Sequence, residues 1–190
     1  MMVKETLQGG LIYLTMALFA AAAALLRGRF RGAGRNVWFL GFAAAVASVA
    51  WRGWHTGHPP MQNLFEFFLC MAAFLWPLSL WSRRQTGADT AFQDALLGLI
   101  ILFPAGFVFG EEVRRLPPAL QSPLFIPHVG SYVAGYVMLA RAALMALPLF
   151  RSDTDEAGVR QADAASRQTA AVGFVLLTLG LLLGSLWGKI

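Results

Sequence analysis

Charge is scarce in this sequence. Asp, Glu, Lys and Arg make up 13% of its 190 residues, against about 25% in an ordinary soluble domain. That shortage excludes a globular domain with a fully solvated surface. Cysteine is nearly missing. The lone Cys70 has no intrachain partner for a disulfide, and no C-x-x-C-H run is present, which rules out covalent haem attachment to this chain. Its place in an apolar stretch reads as a small inert hydrophobe at a helix interface. Long polar linkers, repeats and low-complexity tracts are also absent, so no second, soluble domain fits within the chain.

What fills the sequence is apolar, 57% of all residues. A helix needs roughly 20 mostly apolar residues to cross a bilayer. Six windows approach or meet that, at about 10–26, 37–51, 63–81, 91–109, 128–150 and 169–187. The expected fold is all-α, a single polytopic membrane domain built as a six-transmembrane-helix bundle. The second window is short and would lean on Trp38, Trp51 and Trp54 as interface anchors. Connections of about nine to eighteen residues join the windows. Pro77, Pro104 and Pro148 fall inside windows and predict kinks. Gly180 and Gly184 are spaced for close helix approach. The mixed-charge stretch 151–167 reads as a solvated loop.

The net charge of +5 does not point to nucleic acid, because the basic residues are sorted by connection. Arg27, Arg29, Arg31, Arg35, Arg83, Arg84, Arg151, Arg160 and Arg167 lie on one side. Lys4, Arg52, Arg114, Arg115 and Lys189 lie on the other, partly offset by Glu5, Glu111 and Glu112. The positive-inside rule puts the arginine-rich side in the cytoplasm. Both termini and the histidine-bearing connections are then expected outside the cytoplasmic (inner) membrane. The first window has its arginines after it rather than before it, which argues against a cleaved signal peptide.

All three histidines, His55, His58 and His128, fall on the expected outer side. Imidazole gathered at one end of a bundle suits an iron or haem ligand better than a proton path through the bilayer. His55 reads as a solvated loop residue. His58 has its direction set by Gly57 and Pro59, and either local hydrogen bonding or ligation suits it. Asn63 reads as a helix N-cap and Glu66 as its capping-box partner, with Arg52 as a charge partner for an acid just inside the membrane edge. His128 follows Pro127 and an apolar wall of Leu124, Phe125 and Ile126. It is either a haem ligand beside that wall or an interface histidine satisfied by a carbonyl. Arg141, deep in the fifth window, is expected to snorkel to the cytoplasmic edge; pairing with an anionic group is the other reading.

The stretch Gly57-His58-x-Pro60-x-x-Asn63-Leu64-Phe65-Glu66 resembles the G-H-x-P-x-x-N-[LM]-[YF]-E motif of the CcsA/ResC-type (system II) cytochrome c biogenesis proteins. Leu120-Gln121-Ser122 with His128-Val129 resembles their second outer connection. Gly180 to Trp187 resembles the helix that leads into their Trp-rich segment. The resemblance implies haem handling and transport in cytochrome complex assembly, with non-covalent, transiently held b-type haem presented to apocytochrome c. It implies that His128 is an iron ligand, the first of two outer histidines. His58, Asn63 and Glu66 would line or support the haem site, and a ResB-type partner is implied beside membrane lipid. No catalytic residue is assigned. The Trp-rich segment and the second outer histidine of that family do not follow Trp187 here. The expectation is therefore part of a haem lyase site, completed by a chain carrying the missing segment. The alternatives are a b-type electron-transfer subunit, disfavoured by the lack of mid-membrane histidine, and a cofactor-free scaffold or transporter subunit.

Overall fold

The computed structural model describes residues 3–113, 115, 117–150 and 154–188. Arg114, Arg151 and Lys189, used in the charge argument above, lie outside the described residues. Among the described residues the regular structure is entirely helical. The long helices are α1 (Leu7–Arg27), α2 (Arg31–Thr56), α3 (Leu64–Thr86), α4 (Ala91–Phe107), α5 (Phe125–Met145) and α6 (Glu156–Trp187). Short 3-10 turns occur at Pro118–Leu120 and Leu147–Phe150. Five of the six helices are long and apolar enough to span a bilayer, and α4 is a shorter apolar helix of 17 residues. The expected six-helix membrane bundle is what the chain forms.

Local chemistry sets the helix ends. Thr6 Oγ1 caps α1 by accepting from Gly9 N at 3.0 Å. Asn63 Oδ1 caps α3 by accepting from Glu66 N at 2.9 Å. Asp155 Oδ1 caps α6 by accepting from Gly158 N at 3.0 Å. Each side chain satisfies a first-turn amide that has no partner within the helix. α2 and α3 end in Gly57 and Gly87, the described residues with positive φ (71° and 70°). Both sit in the left-handed region that closes a helix C-terminus at little cost only for glycine.

Four expectations change. α2 runs 26 residues, so it is not a short span; it carries Arg52, Trp54 and His55 on helix, beyond the apolar run. α6 begins at Glu156, so most of 151–167 is helix rather than loop. Its first turns are polar and laced by the i,i+4 pairs Glu156–Arg160 and Asp163–Arg167. α5 starts earlier, at Phe125, and its α-helical part ends at Met145; the apolar span runs on to Phe150 through the 3-10 turn that holds Pro148. α4 stops at Phe107, where Pro104 O accepts from both Val108 N and Phe109 N. α3 and α4 nevertheless continue through Pro77 and Pro104.

α1 packs on α2 and α4, α3 on α4, α2 and α5, and α5 on α6. Phe19 is the centre of the first group. Its ring occupies the space that side chains would take at Gly41 of α2 and Gly98 of α4, where a Cβ would come within 2.6 and 2.5 Å of it. α5 and α6 meet along a glycine seam: a Cβ at Gly135 would stand 3.2 Å from Gly173 O, and one at Gly173 would stand 3.3 Å from Gly135 O. Small residues let the two backbones close up, and dispersion contacts then hold them. Both described ends of the chain lie at the same end of the bundle. Lys4 Nζ donates to Phe109 O at 2.7 Å, Thr6 Oγ1 to Glu111 Oε2 at 2.9 Å, and Trp187 packs on Phe125.

Candidate functional site

At the histidine-bearing end, Asn63 and Glu66 begin α3 and meet Arg52 from α2. Arg52 Nε donates to Glu66 Oε1 at 2.9 Å, and the two side chains are 3% and 1% exposed. The other Glu66 oxygen accepts from Gln62 N at 2.9 Å. Arg52 spends its remaining donors on main chain, NH1 to Glu111 O at 2.7 Å and NH2 to Glu112 O at 2.9 Å. A buried ion pair needs further hydrogen bonds to offset its lost hydration, and here each guanidinium nitrogen and each carboxylate oxygen makes one. The node therefore ties α2, α3 and the α4–α5 connection together. The expected partnership of Arg52 with Glu66 is present, and Asn63 is the N-cap. The reach of Glu66 differs slightly from a capping box: it returns to the amide of Gln62, one residue before the cap.

His58 directs Nδ1 at Pro59 O, 3.0 Å away, and its own carbonyl accepts from Thr56 Oγ1 at 3.1 Å. It is half-buried. His55 is exposed on the last turn of α2 and stacks on Trp51 with ring centroids 6.1 Å apart. Cys70 is 1% exposed and donates its thiol to Pro60 O at 3.1 Å, so it packs as expected while also holding the α2–α3 connection against α3.

His128 belongs to a different junction, the upper end of the α5–α6 seam. Its Nδ1 lies 2.7 Å from Gly180 O. A carbonyl can only accept, so Nδ1 must carry the hydrogen, and in the neutral ring the lone pair then sits on Nε2. The ring meets Tyr132 edge-on with centroids 5.0 Å apart and Trp187 at 5.5 Å. It fits because Gly184 has no side chain; a Cβ there would come within 2.6 Å of Cε1. Tyr132 likewise lies against Gly180. The Gly180–Gly184 spacing thus makes room for two rings of α5. From Tyr132 the aromatic row continues to Tyr136 at 6.1 Å and on to Phe67 of α3 at 6.2 Å. His128, Tyr132, Phe67 and Trp187 are half-buried, and Tyr136 is exposed. The junction combines one oriented imidazole with a partly open row of flat rings.

The sequence reading anticipated a carbonyl for His128 as one alternative, and the bond to Gly180 fills that role for Nδ1 only. It did not anticipate Tyr132 or Trp187 beside His128, nor that Gly180 and Gly184, read as a point of close helix approach, make room for these rings. Their signal was present, since residues 128, 132 and 136 follow one helix face at i,i+4 spacing.

Arg141 does not snorkel. It is 0% exposed and pairs with Asp94 of α4, Nε to Oδ1 at 2.8 Å and NH2 to Oδ2 at 3.2 Å. NH2 also donates to Thr90 Oγ1 at 2.9 Å and NH1 to Leu78 O at 3.3 Å. Thr90 and Ser79 hydroxyls both donate to Asp94 Oδ2. One turn along α3 from Ser79, Ser82 meets Thr169 of α6 at 3.3 Å. These buried polar contacts link α3, α4, α5 and α6 near the arginine-rich end, far along α5 from His128. Among the described residues no group of three or more His, Cys, Asp or Glu side chains is arranged to hold a bare metal ion.

Residues 61–190 match the model of a family described as cytochrome C assembly protein. Relatives include the cytochrome c biogenesis protein CcsA of Synechococcus sp. strain CC9605, 26% identical over 76% of this chain and 60% of the relative. CcsA of Synechococcus sp. strain WH7803 is 25% identical over 87% of this chain and 66% of the relative. CcsA of Prochlorococcus marinus strain MED4 is 28% identical over 70% and 54% respectively. The chain spans about 60% of the length of the first of these relatives. No solved structure matches the chain.

Proposed function

Because this chain belongs to the cytochrome C assembly protein family, we propose that it handles haem for cytochrome c maturation, holding it non-covalently at the histidine-bearing end of the bundle. In this reading that end faces outward from the cytoplasmic membrane, where apocytochrome c receives the haem and a ResB-type partner assembles with the bundle. The arginine-rich end faces the cytoplasm.

His128 carries the proposal. Its Nδ1–H is held by Gly180 O, which leaves the Nε2 lone pair as the ring's ligating position. A hydrogen bond from the non-ligating nitrogen orients a metal-bound imidazole and raises its basicity. Iron supplies the acceptor for that lone pair, and the porphyrin supplies a flat apolar body. The row of Trp187, Tyr132, Tyr136 and Phe67 offers rings against which such a body can lie, edge-on or offset. The Arg52–Glu66 node serves the same end of the molecule at one remove. Asn63 and Glu66 fix the start of α3, Arg52 fixes the α4–α5 connection that leads into α5, and His58 lies on the α2–α3 connection beside them. We assign these four residues to support or lining of the haem site and not to ligation.

The test is the haem spectrum of the chain purified from cells in mild detergent. His128→Ala should lower the Soret absorbance per protein by about tenfold, and added imidazole should restore much of it by filling the vacated iron position. His58→Ala should leave most of the haem in place. Unchanged haem content in His128→Ala overturns the ligand assignment.

A further inference from the structure

A cleft of about 290 Å³ opens at the arginine-rich end, between α2, α3 and the start of α4. Arg35, Arg83 and Asp89 form the polar wall at its mouth, and Trp38, Phe39 and Trp76 form its apolar wall. Trp38 is 6% exposed, and its Nε1 has no hydrogen-bond partner among the described residues. A buried N–H without an acceptor is uncommon, because it forfeits its hydration with nothing in return. Nε1 itself is closed off from the open space, so a bound molecule would meet the indole as an apolar wall and not as a donor.

Charge narrows what that molecule is. Arg35 pairs with Asp89 at 2.6 Å, with side chains 43% and 37% exposed, and the exposed Arg83 adds a second cation. Two guanidinium groups against one carboxylate leave the mouth with a single positive charge. A phosphodiester brings one negative charge and several acceptor oxygens, and arginine forks match its geometry. The apolar part of the cleft points to the rest of the ligand. Phe39 is 46% exposed and meets Trp76 edge-on at 5.2 Å, while Phe42 stacks on the same indole at 4.9 Å. A soluble phosphate has no use for that surface, whereas an acyl chain does.

We propose that this cleft binds an anionic glycerophospholipid. Arg35 and Arg83 hold the phosphodiester, and an acyl chain lies over Phe39 and Trp76. Asp89 limits the affinity, because it competes for Arg35 and opposes the anion. The site is independent of the haem junction at the other end of the bundle.

Native mass spectrometry tests this on the whole chain released from nanodiscs of equimolar phosphatidylglycerol and phosphatidylcholine. The wild type should retain phosphatidylglycerol in preference. The double variant Arg35→Gln/Arg83→Gln should lose about 25-fold in retention, from roughly fivefold for each arginine at a membrane surface. Asp89→Asn should gain about fivefold, an increase that damage to the fold cannot produce. Equal retention of the two lipids, no gain in Asp89→Asn, or displacement of the lipid by millimolar inorganic phosphate would each overturn the proposal, the last by assigning the cleft to free phosphate.

Discussion

Replacing Asp94 by asparagine removes the carboxylate that, among the described residues, pairs with Arg141 in its buried network. Arg141 is fully buried, so water cannot take over. Thr90 Oγ1 and Leu78 O would still accept from it, but neither carries charge. Removing one partner of a buried pair costs about 3–5 kcal/mol, and this case belongs at the upper end because a guanidinium cannot shed its proton. Arg141→Met should cost less, nearer about 3 kcal/mol. The carboxyl left behind still receives the Ser79 and Thr90 hydroxyls, and a carboxylate can be discharged by a proton where a guanidinium cannot. The double variant Asp94→Leu/Arg141→Met carries no stranded charge and should recover most of the loss. At about 2–4 °C per kcal/mol for a chain of this size, Asp94→Asn should lower the thermal midpoint in detergent by about 10–20 °C. Arg141→Met should lower it by about 6–12 °C, and the double variant by only a few degrees. Additive losses in the double variant would show that the two groups are not coupled, and the account of this network would then be wrong.

Gly184→Ala should disturb haem retention without replacing the ligand itself. The new methyl must displace the His128 ring at a cost of about 1–3 kcal/mol, read as a reduced or shifted Soret band while Gly10→Ala, in open space on α1, leaves the band unchanged. Glu66→Gln strands Arg52 and should loosen its hold on Glu111 and Glu112. The cost of about 3 kcal/mol should appear as protease cleavage within 108–124 at least several times faster than in the wild type. Asp89 has its carboxyl held below the usual carboxylate range: burial pushes it up, but the hydrogen bond and charge of Arg35, with help from the Ala91 amide and Arg83, outweigh burial. Its folded value is depressed, so its stabilisation is complete above the unfolded value of about 3.9 and fades as pH falls through the folded value. Because both side chains are more than a third exposed, the effect is under about 1 kcal/mol, and Asp89→Asn should abolish that part of the acid dependence of the thermal midpoint.

Hydropathy made the six helices legible, because each must cover an apolar length that the sequence displays directly. It failed at the ends, where helices continue into polar residues. α2 outran its window through Arg52 and His55, and α6 began thirteen residues early. Asp155 as a cap and the charge pairs at 156/160 and 163/167 were the signals for that start. The change from α-helix to a 3-10 turn after Met145 also hid Arg141. Counted back from 150 it sits deep in the membrane, but counted from Met145 it is one turn from the helix end. That is close to the level of Asp94 in the first turn of α4. Glu66 and Arg52 were easier to match because fourteen residues and one short connection separate them, whereas Asp94 and Arg141 are 47 apart. For His128 the sequence offered a ligand or a carbonyl-bound ring as rivals. The structure fills one nitrogen and leaves the other, a distinction that needs coordinates from a helix 52 residues away.

The grip of Gly180 on His128 also makes the imidazole a gauge of helix alignment. If α6 slid by one residue against α5, its carbonyls would turn by about 100° and rise by about 1.5 Å. Gly180 O would leave Nδ1, and a side chain other than hydrogen would arrive where Gly184 now makes room. The protonated nitrogen of a single ring, observable by NMR, therefore reports whether two whole helices are in step.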